Sequence, residues 1–562
     1  MDKPDVVIIG LGAAGGIAAY VLAKAGLKVL ALEAGPYLSS ADFVHQLDEL
    51  GTVEQARLGD IKFNKEMPTW RPNSNVPASS PAVALPMINA VGGSSIHYGA
   101  WSWRLAPTDF RIRTATTSRY GSESLPWGSV VADWPVSYEQ LEAYYDRIEH
   151  TIGVCGRGGK NPFEGPRSRD YPMPPLRLNG FSTLAAKAMR AMGYHPFTQP
   201  AAITSVNWGG RAACSYCGFC GNFGCWNDSK SSSLVTVIRD AEATGNLEIR
   251  PLSAVTRIAT GKDGRVTGVY YRSSGIAEPT FQPTKFVILS SYVYENVRRL
   301  LLSRSDVFPR GLCNEHGQVG RYYISHTYYL VRGLFSGRKL NLFNGAAAQG
   351  TAMDDFNADN FDHSGLGFIR GASVSTAHAA GLLPIAVAKS VPPGIPTWGA
   401  MYKKWLRDDA GSVGELAAQM ETLPYESNFI DLDDYRTDPW GDPVARVTFS
   451  LHENESRMGA YLDGKLAAIL RKMGATQTWT AVPGTPLPIN NHAYGGTRMG
   501  SDPKTSVVDR HSIAHEVPNL AILGGSTFPS SSGYNPTETI QALSWYSAEY
   551  IAAHFSHLTA TT

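Results

Sequence analysis

The chain has 562 residues, 43% of them apolar and 18% charged, enough for a sizeable core in two domains or one large composite domain. Fifty basic residues face 49 acidic ones, for a net charge of +1. With no long basic run in that balance, nucleic acid is excluded as an expected partner, because phosphate binding needs a concentrated positive field.

The first element is also the one membrane decoy. Residues 4–23 are apolar and about as long as a span. Glycines interrupt the run, and Met1 to Pro4 is too short for a signal n-region, so neither a cleavable signal nor a transmembrane helix is expected. The same stretch reads better as strand (residues 5–9), glycine turn, helix (13–25) and second strand (28–32) ending on Glu33. Gly10, Gly12 and Gly15 form G-x-G-x-x-G. Gly10 permits a tight turn, Gly12 lets a diphosphate reach the backbone, and Gly15 allows close helix packing. The helix N-terminus takes the diphosphate, and Glu33, 23 positions after Gly10, can accept from ribose hydroxyls. The strand before and the helix after make this a dinucleotide-binding signature.

Residues 60–88, rich in Pro, Asn and Ser, read as a long loop. NAVGGSSIHYGAWSWR (89–104) follows, with Gly92 and Gly93 suited to close approach of backbone to a cofactor. Residues 134–152 read as a helix capped by Ser137, with Gln140 completing a capping box. Four of the six cysteines then fall within residues 214–225: Cys214, Cys217, Cys220 and Cys225. After them come short strands joined by an Asp-Gly turn, and KFVILSSYVYENVRRLLLS, a strand followed by a helix. Residues 326–487 mix strands and helices without a glycine motif and suit a substrate domain. The last segment reads strand, glycine-rich loop and long helix.

Together the N-terminal turn, VGGSS, NNHAYGGTRMG (490–500) and GGSTFPSSSGYNPTETI (524–540) resemble the glucose–methanol–choline (GMC) oxidoreductase family in order and spacing. Within it, CSYCGFCGNFGC and SSYVYENVRRLLLS make the chain most like the large flavoprotein subunits of bacterial sugar and sugar-acid dehydrogenases, the gluconate 2-dehydrogenase type. The resemblance implies an α/β (α+β) fold: a Rossmann-like FAD-binding domain, discontinuous in sequence (1–105, 226–325, 488–562), and a substrate-binding cap with an antiparallel sheet and helices (106–225, 326–487). It implies that FAD lies against Gly10, Gly12, Ala13, Ala14, Gly15 and Glu33; against Gly92, Gly93, Ser94 and His97; against Val255; and against Gly525, Ser526, Asn535, Pro536 and Thr537. The wider family usually has an alanine–glycine pair and Thr-Pro where this chain has SSYVYEN.

The family's catalytic pair maps onto His492 and Asn535. Alcohol oxidation needs a base for the hydroxyl proton while hydride leaves carbon for flavin N5, and imidazole titrates near working pH. Asn535 can orient the hydroxyl. His326, in VGRYYISH, resembles a family loop near the active site or is structural. His97, four residues after the paired glycines, stands where related pyranose oxidases bond a histidine covalently to the flavin; the alternative is a histidine lining the flavin edge.

The four clustered cysteines admit three readings: structural zinc, small-loop disulfides, or an iron–sulfur cluster. Zinc ribbons separate their two C-x-x-C pairs by a longer loop, whereas here all four donors sit in one short segment with Gly218, Gly221 and Gly224. An iron–sulfur cluster, three-iron or four-iron, is the favoured reading, because it would pass the two electrons of reduced FAD singly to a cytochrome. Cys155 and Cys313 read as buried thiols.

The expected activity is FAD-dependent dehydrogenation of a hydroxyl of a sugar, glycoside or sugar acid. Electrons would reach a cytochrome or quinone through a small subunit bearing an export signal and a cytochrome c subunit. The expected location is the periplasm, membrane-associated through those partners. The alternatives are an oxygen-using oxidase with structural cysteines, and a cytoplasmic home.

Overall fold

The structure is a computed structural model and describes residues 3–43, 67–81, 87–275, 278–376, 388, 390–484 and 486–560. Its centre is a five-stranded, wholly parallel sheet in the order Leu520–Ile522, Phe286–Leu289, Val6–Ile9, Val29–Leu32, Leu247–Arg250. Four of these strands are unbroken apolar runs buried along their length (VVII, VLAL, FVIL and LAI), as a strand covered on both faces requires. One face is covered by helix Ala13–Lys24, which packs on the C-terminal helix Thr537–Thr559.

Helix Ala13–Lys24 is capped by Gly12, with no side-chain hydrogen bond at the cap. Its first-turn N–H groups therefore have no capping side chain in competition with a ligand. The glycine turn is tight enough to forbid side chains at Gly10 and Gly15. Gly10 has φ +85°, and a Cβ on Gly15 would fall 2.1 Å from the Gly10 carbonyl oxygen.

The second layer is a six-stranded antiparallel sheet: Gln477–Pro483, Thr327–Leu334, Val413–Met420, Ala372–Ser375, Thr351–Met353, Phe197–Thr198. Helix Glu453–Lys472 packs on it and shares its core of Leu416, Ala418, Met420, Met458, Leu462 and Leu466. In this sheet Tyr328 pairs with Gln419, and Gln419 with Ser373.

Two expectations shift. The helix predicted over 134–152 runs Tyr138–Ile148, because Ser137 caps it: Ser137 Oγ accepts from Gln140 N at 3.4 Å, and Gln140 Oε1 accepts from Ser137 N at 3.0 Å. It continues as a wider turn over Glu149–Gly153. Within the expected loop 60–88, Thr69–Arg71 is a short strand parallel to Pro443–Thr448; residues 60–66 and 82–86 lie outside the described residues. Among the described residues no helix is long and apolar enough to cross a membrane.

Candidate active site

The carboxyl ends of the parallel strands open into one cavity of about 870 Å³, whose far wall is the antiparallel sheet. It brings together Gly10, Gly12, Ala13, Ala14, Glu33, Gly93, Ser94, His97, Val255, His492, Gly525, Asn535, Pro536 and Thr537. Three expected cofactor contacts are elsewhere. Gly15 serves the turn against Gly10, and Gly92, at φ +100°, packs against Leu234. Ser526 Oγ is buried and accepts from Asn296 Nδ2 at 2.9 Å.

The nucleotide end is a backbone cradle. A Cβ on Gly93 would lie 2.8 Å from Gly12 Cα, so the two glycine loops touch. Glu33 is buried; its Oε2 accepts from Leu11 N and its Oε1 from Gly35 N, both at 2.9 Å. Burial, only partly opposed by these N–H donors, pushes its pKa up to about 7. An enclosed carboxylate with little to neutralise it fits a group that brings hydroxyl donors, such as a ribose. Ser290 Oγ donates to the Gly10 carbonyl at 2.8 Å. Tyr292, next along, holds φ +76°, a conformation that glycine adopts freely, and its hydroxyl donates to the Asn490 carbonyl at 2.6 Å.

The expected catalytic pair meets at the other end. His492 Nε2 and Asn535 Nδ2 are 3.2 Å apart. With the amide N–H donating, Nε2 is the unprotonated nitrogen and Nδ1 carries the hydrogen. Nδ1 lies 2.8 Å from Tyr328 Oη and 3.2 Å from His326 Nδ1. Burial, and then the neighbouring His492, hold His326 well below the usual imidazole pKa, so it is a neutral partner. Tyr494 Oη is 3.2 Å from both ring nitrogens of His326. Sequence reasoning missed Tyr328; the signal was the alternation in TYYLVRGL, which turns Tyr328 and Leu330 to the same cavity.

His97 is 2% exposed, and its enclosed Nδ1 has no hydrogen-bond partner. Burial, and then the charge of Lys230, lower its pKa to about 4, which keeps it a neutral imidazole.

A backbone cradle of this kind fits a dinucleotide, and the comparisons identify the family. The FAD-binding family model matches residues 5–45, and the model described as GMC oxidoreductase matches 179–326 and 424–544. The gluconate 2-dehydrogenase flavoprotein of Pantoea cypripedii is 32% identical over 99% of this chain and 94% of its own. The chain belongs to the GMC oxidoreductase family. The fructose dehydrogenase large subunit of Gluconobacter japonicus is 27% identical over 97% of each chain. A solved formate oxidase of Aspergillus oryzae shares the fold, with a TM-score of 0.63 at 15% identity over 99% of each chain. This GMC oxidoreductase is thus an FAD-dependent enzyme acting on CH–OH groups.

The cysteine loop of this GMC chain adjoins the same cavity. Gly221, Asn222 and Phe223 line it, and Asn222 N donates to the His97 carbonyl at 2.7 Å. Buried Lys230 ties the loop down, its Nζ donating to the carbonyls of Tyr98 (3.0 Å), Cys220 (2.7 Å) and Phe223 (2.7 Å). All six cysteines are free thiols. Cys225 Sγ donates to Asn227 Oδ1 at 3.1 Å, and Cys214 Sγ accepts from Tyr216 N at 3.4 Å. Burial, and then the neighbouring cysteines, push Cys214 up to about 12. Among the described residues no three Cys, His, Asp or Glu side chains gather as a metal-binding group, so the thiols as placed do not present the expected ligand set. Cys155 and Cys313 are buried, as expected.

Proposed function

We propose that the enzyme is a dehydrogenase for a sugar-type hydroxyl that delivers its electrons to an acceptor other than oxygen. The observation that carries the oxidation of a hydroxyl is the His492–Asn535 pair, 3.2 Å apart on the wall of the cavity that also holds the dinucleotide turn, and the cysteine loop beside that cavity favours an acceptor other than oxygen. His492 Nε2 takes the hydroxyl proton. Asn535 fixes the direction of the hydroxyl, and Tyr328 and His326 hold the ring from behind. Bound FAD supplies the hydride acceptor, N5 of its ring system. Trp101 and Trp103 line the same space and offer flat apolar faces for the C–H side of a sugar.

The finer part of the proposal concerns the cysteine loop. Four cysteines within residues 214–225, with glycines between them, lie beside the cavity that takes FAD. We assign them an iron–sulfur centre; binding would draw the sulfurs together from the positions they hold as free thiols. A one-electron route out of the enzyme fits a cytochrome c subunit. A partner subunit fits the relative in Gluconobacter japonicus, which is a large subunit by name. An export signal on a small subunit would place the assembly in the periplasm.

One experiment tests the whole reading: protein purified anaerobically, analysed for iron and by EPR, then given a sugar panel with an artificial dye and, separately, with oxygen. Bound iron with fast dye reduction and slow oxygen consumption is expected. Zinc or no metal with brisk oxygen reduction refutes the dehydrogenase in favour of an oxidase with structural cysteines.

A further inference from the structure

The antiparallel sheet presents one row of polar side chains to the cavity. Tyr328, Gln419 and Ser373 face it from three adjacent strands, and the register sets Tyr328 opposite Gln419 and Gln419 opposite Ser373. The row begins at the reacting centre, because Tyr328 Oη touches His492 Nδ1 at 2.8 Å. Gln419 Nε2 donates to the Gly533 carbonyl at 3.2 Å, which holds that amide in place and leaves Oε1 as its acceptor. Gln199 follows the edge strand Phe197–Thr198, two strands beyond Ala372–Ser375, and lines the same cavity. Gln199 is 1% exposed, yet neither its Nε2 nor its Oε1 has a hydrogen-bond partner. A buried primary amide without partners is costly, and the cost is removed by a ligand that both donates to and accepts from it.

A hydroxyl does both; a carboxylate can only accept and brings a charge that needs a cation. The row and Gln199 offer uncharged amides and hydroxyls. On the described part of the wall the one lysine or arginine is Arg299, and it is engaged by Glu295 Oε2 at 2.8 Å and by the Thr256 carbonyl at 3.0 Å.

We infer that Gln199 and the row Tyr328–Gln419–Ser373 form a subsite for a neutral polyhydroxy substrate, with Gln199 reading one of its hydroxyls. This rests on the proposed function and narrows it: the substrate is an uncharged sugar or polyol, not a sugar acid.

The test uses FAD-loaded wild type and Gln199→Met with a dye acceptor. The substrates are neutral sugars and polyols, single-deoxy analogues of the best of them, and the acid made by replacing its terminal CH2OH with a carboxylate. In wild type the neutral compound exceeds the acid in kcat/KM. One deoxy analogue falls far below its parent. Gln199→Met lowers kcat/KM for the parent by roughly 10- to 100-fold, the worth of one buried hydrogen-bond partner, and leaves that deoxy analogue nearly unchanged. Melting gives a second readout. The variant melts no lower than wild type, because it deletes an unpaired buried amide, but loses the upward shift that the neutral substrate gives wild type. If Gln199→Met does not fold, Gln199→Leu, which likewise has neither donor nor acceptor, shows the same selective loss. A tenfold preference for the acid overturns the inference. So does a loss that is equal across all substrates, or no loss at all. A wild type that oxidises no hydroxyl compound overturns the proposed function itself, and this inference with it.

Discussion

Tyr328→Phe removes one oxygen and leaves the ring that packs in the cavity wall. The hydroxyl lost is the one 2.8 Å from His492 Nδ1, the shorter of two contacts that hold the ring with Nε2 toward the substrate. The other, His326 Nδ1 at 3.2 Å, remains and keeps part of the orientation. One hydrogen bond between neutral groups contributes about 0.5–1.5 kcal/mol net, and about 1.4 kcal/mol is a tenfold rate. The expected loss in kcat is therefore about 2- to 10-fold, well short of loss of the base itself. Burial pushes the Tyr328 phenol far above its usual pKa, so the group stays protonated across any practical assay range and adds no limb of its own to the pH profile. The assay is steady-state dye reduction by the FAD-loaded variant, with kcat and KM resolved from pH 5 to 9. A drop carried mainly by kcat supports positioning of His492. Unchanged kcat, or a change confined to KM, would refute the role given to Tyr328.

His492→Ala lowers kcat by roughly 10²- to 10⁴-fold, the usual worth of a positioned base, while FAD stays bound because its phosphates are held by the glycine loops; near-normal turnover would remove His492 from the reaction. Burial pushes Glu33 from the ordinary carboxyl value of 4.5 to about 7, so the FAD-free protein holds a proton there that the unfolded chain has released. Stability is therefore fully present below about pH 4.5 and falls by about 3 kcal/mol as pH rises through 7. Glu33→Gln flattens that part of the melting profile and weakens FAD retention; a wild-type profile already flat between pH 5 and 8 counts against the buried carboxyl. Acid precipitation separates the two readings of His97: a covalent link leaves yellow fluorescence on the polypeptide, whereas complete release of FAD makes His97 a residue of the flavin edge and leaves the rest of the site intact.

The dinucleotide half was legible in the sequence because its constraints are local. A buried parallel strand must be apolar throughout, and a turn with φ +85° at Gly10 demands glycine. The carboxylate that ends the next strand reaches back to Leu11 within a single strand–turn–helix–strand unit. His492 and Asn535 were also readable, from the motifs around them. Their meeting at 3.2 Å was not, because 43 positions of chain separate them. Gly15, Gly92 and Ser526 show the opposite limit: a motif marks which residues build a loop, and packing decides which of them face the cavity. Tyr328, Gln419, Ser373 and Gln199 belong to four separate stretches that carry no motif. Only cross-strand register, a long-range property, aligns the first three, and only the fold brings Gln199 to the same cavity. The cysteine loop is the same case. Its composition announced a special segment, but a bond from Asn222 N to the distant His97 carbonyl sets it against the flavin cavity. Local backbone geometry is written in neighbouring residues; which surfaces share a cavity is decided by contacts that close only when the chain has folded.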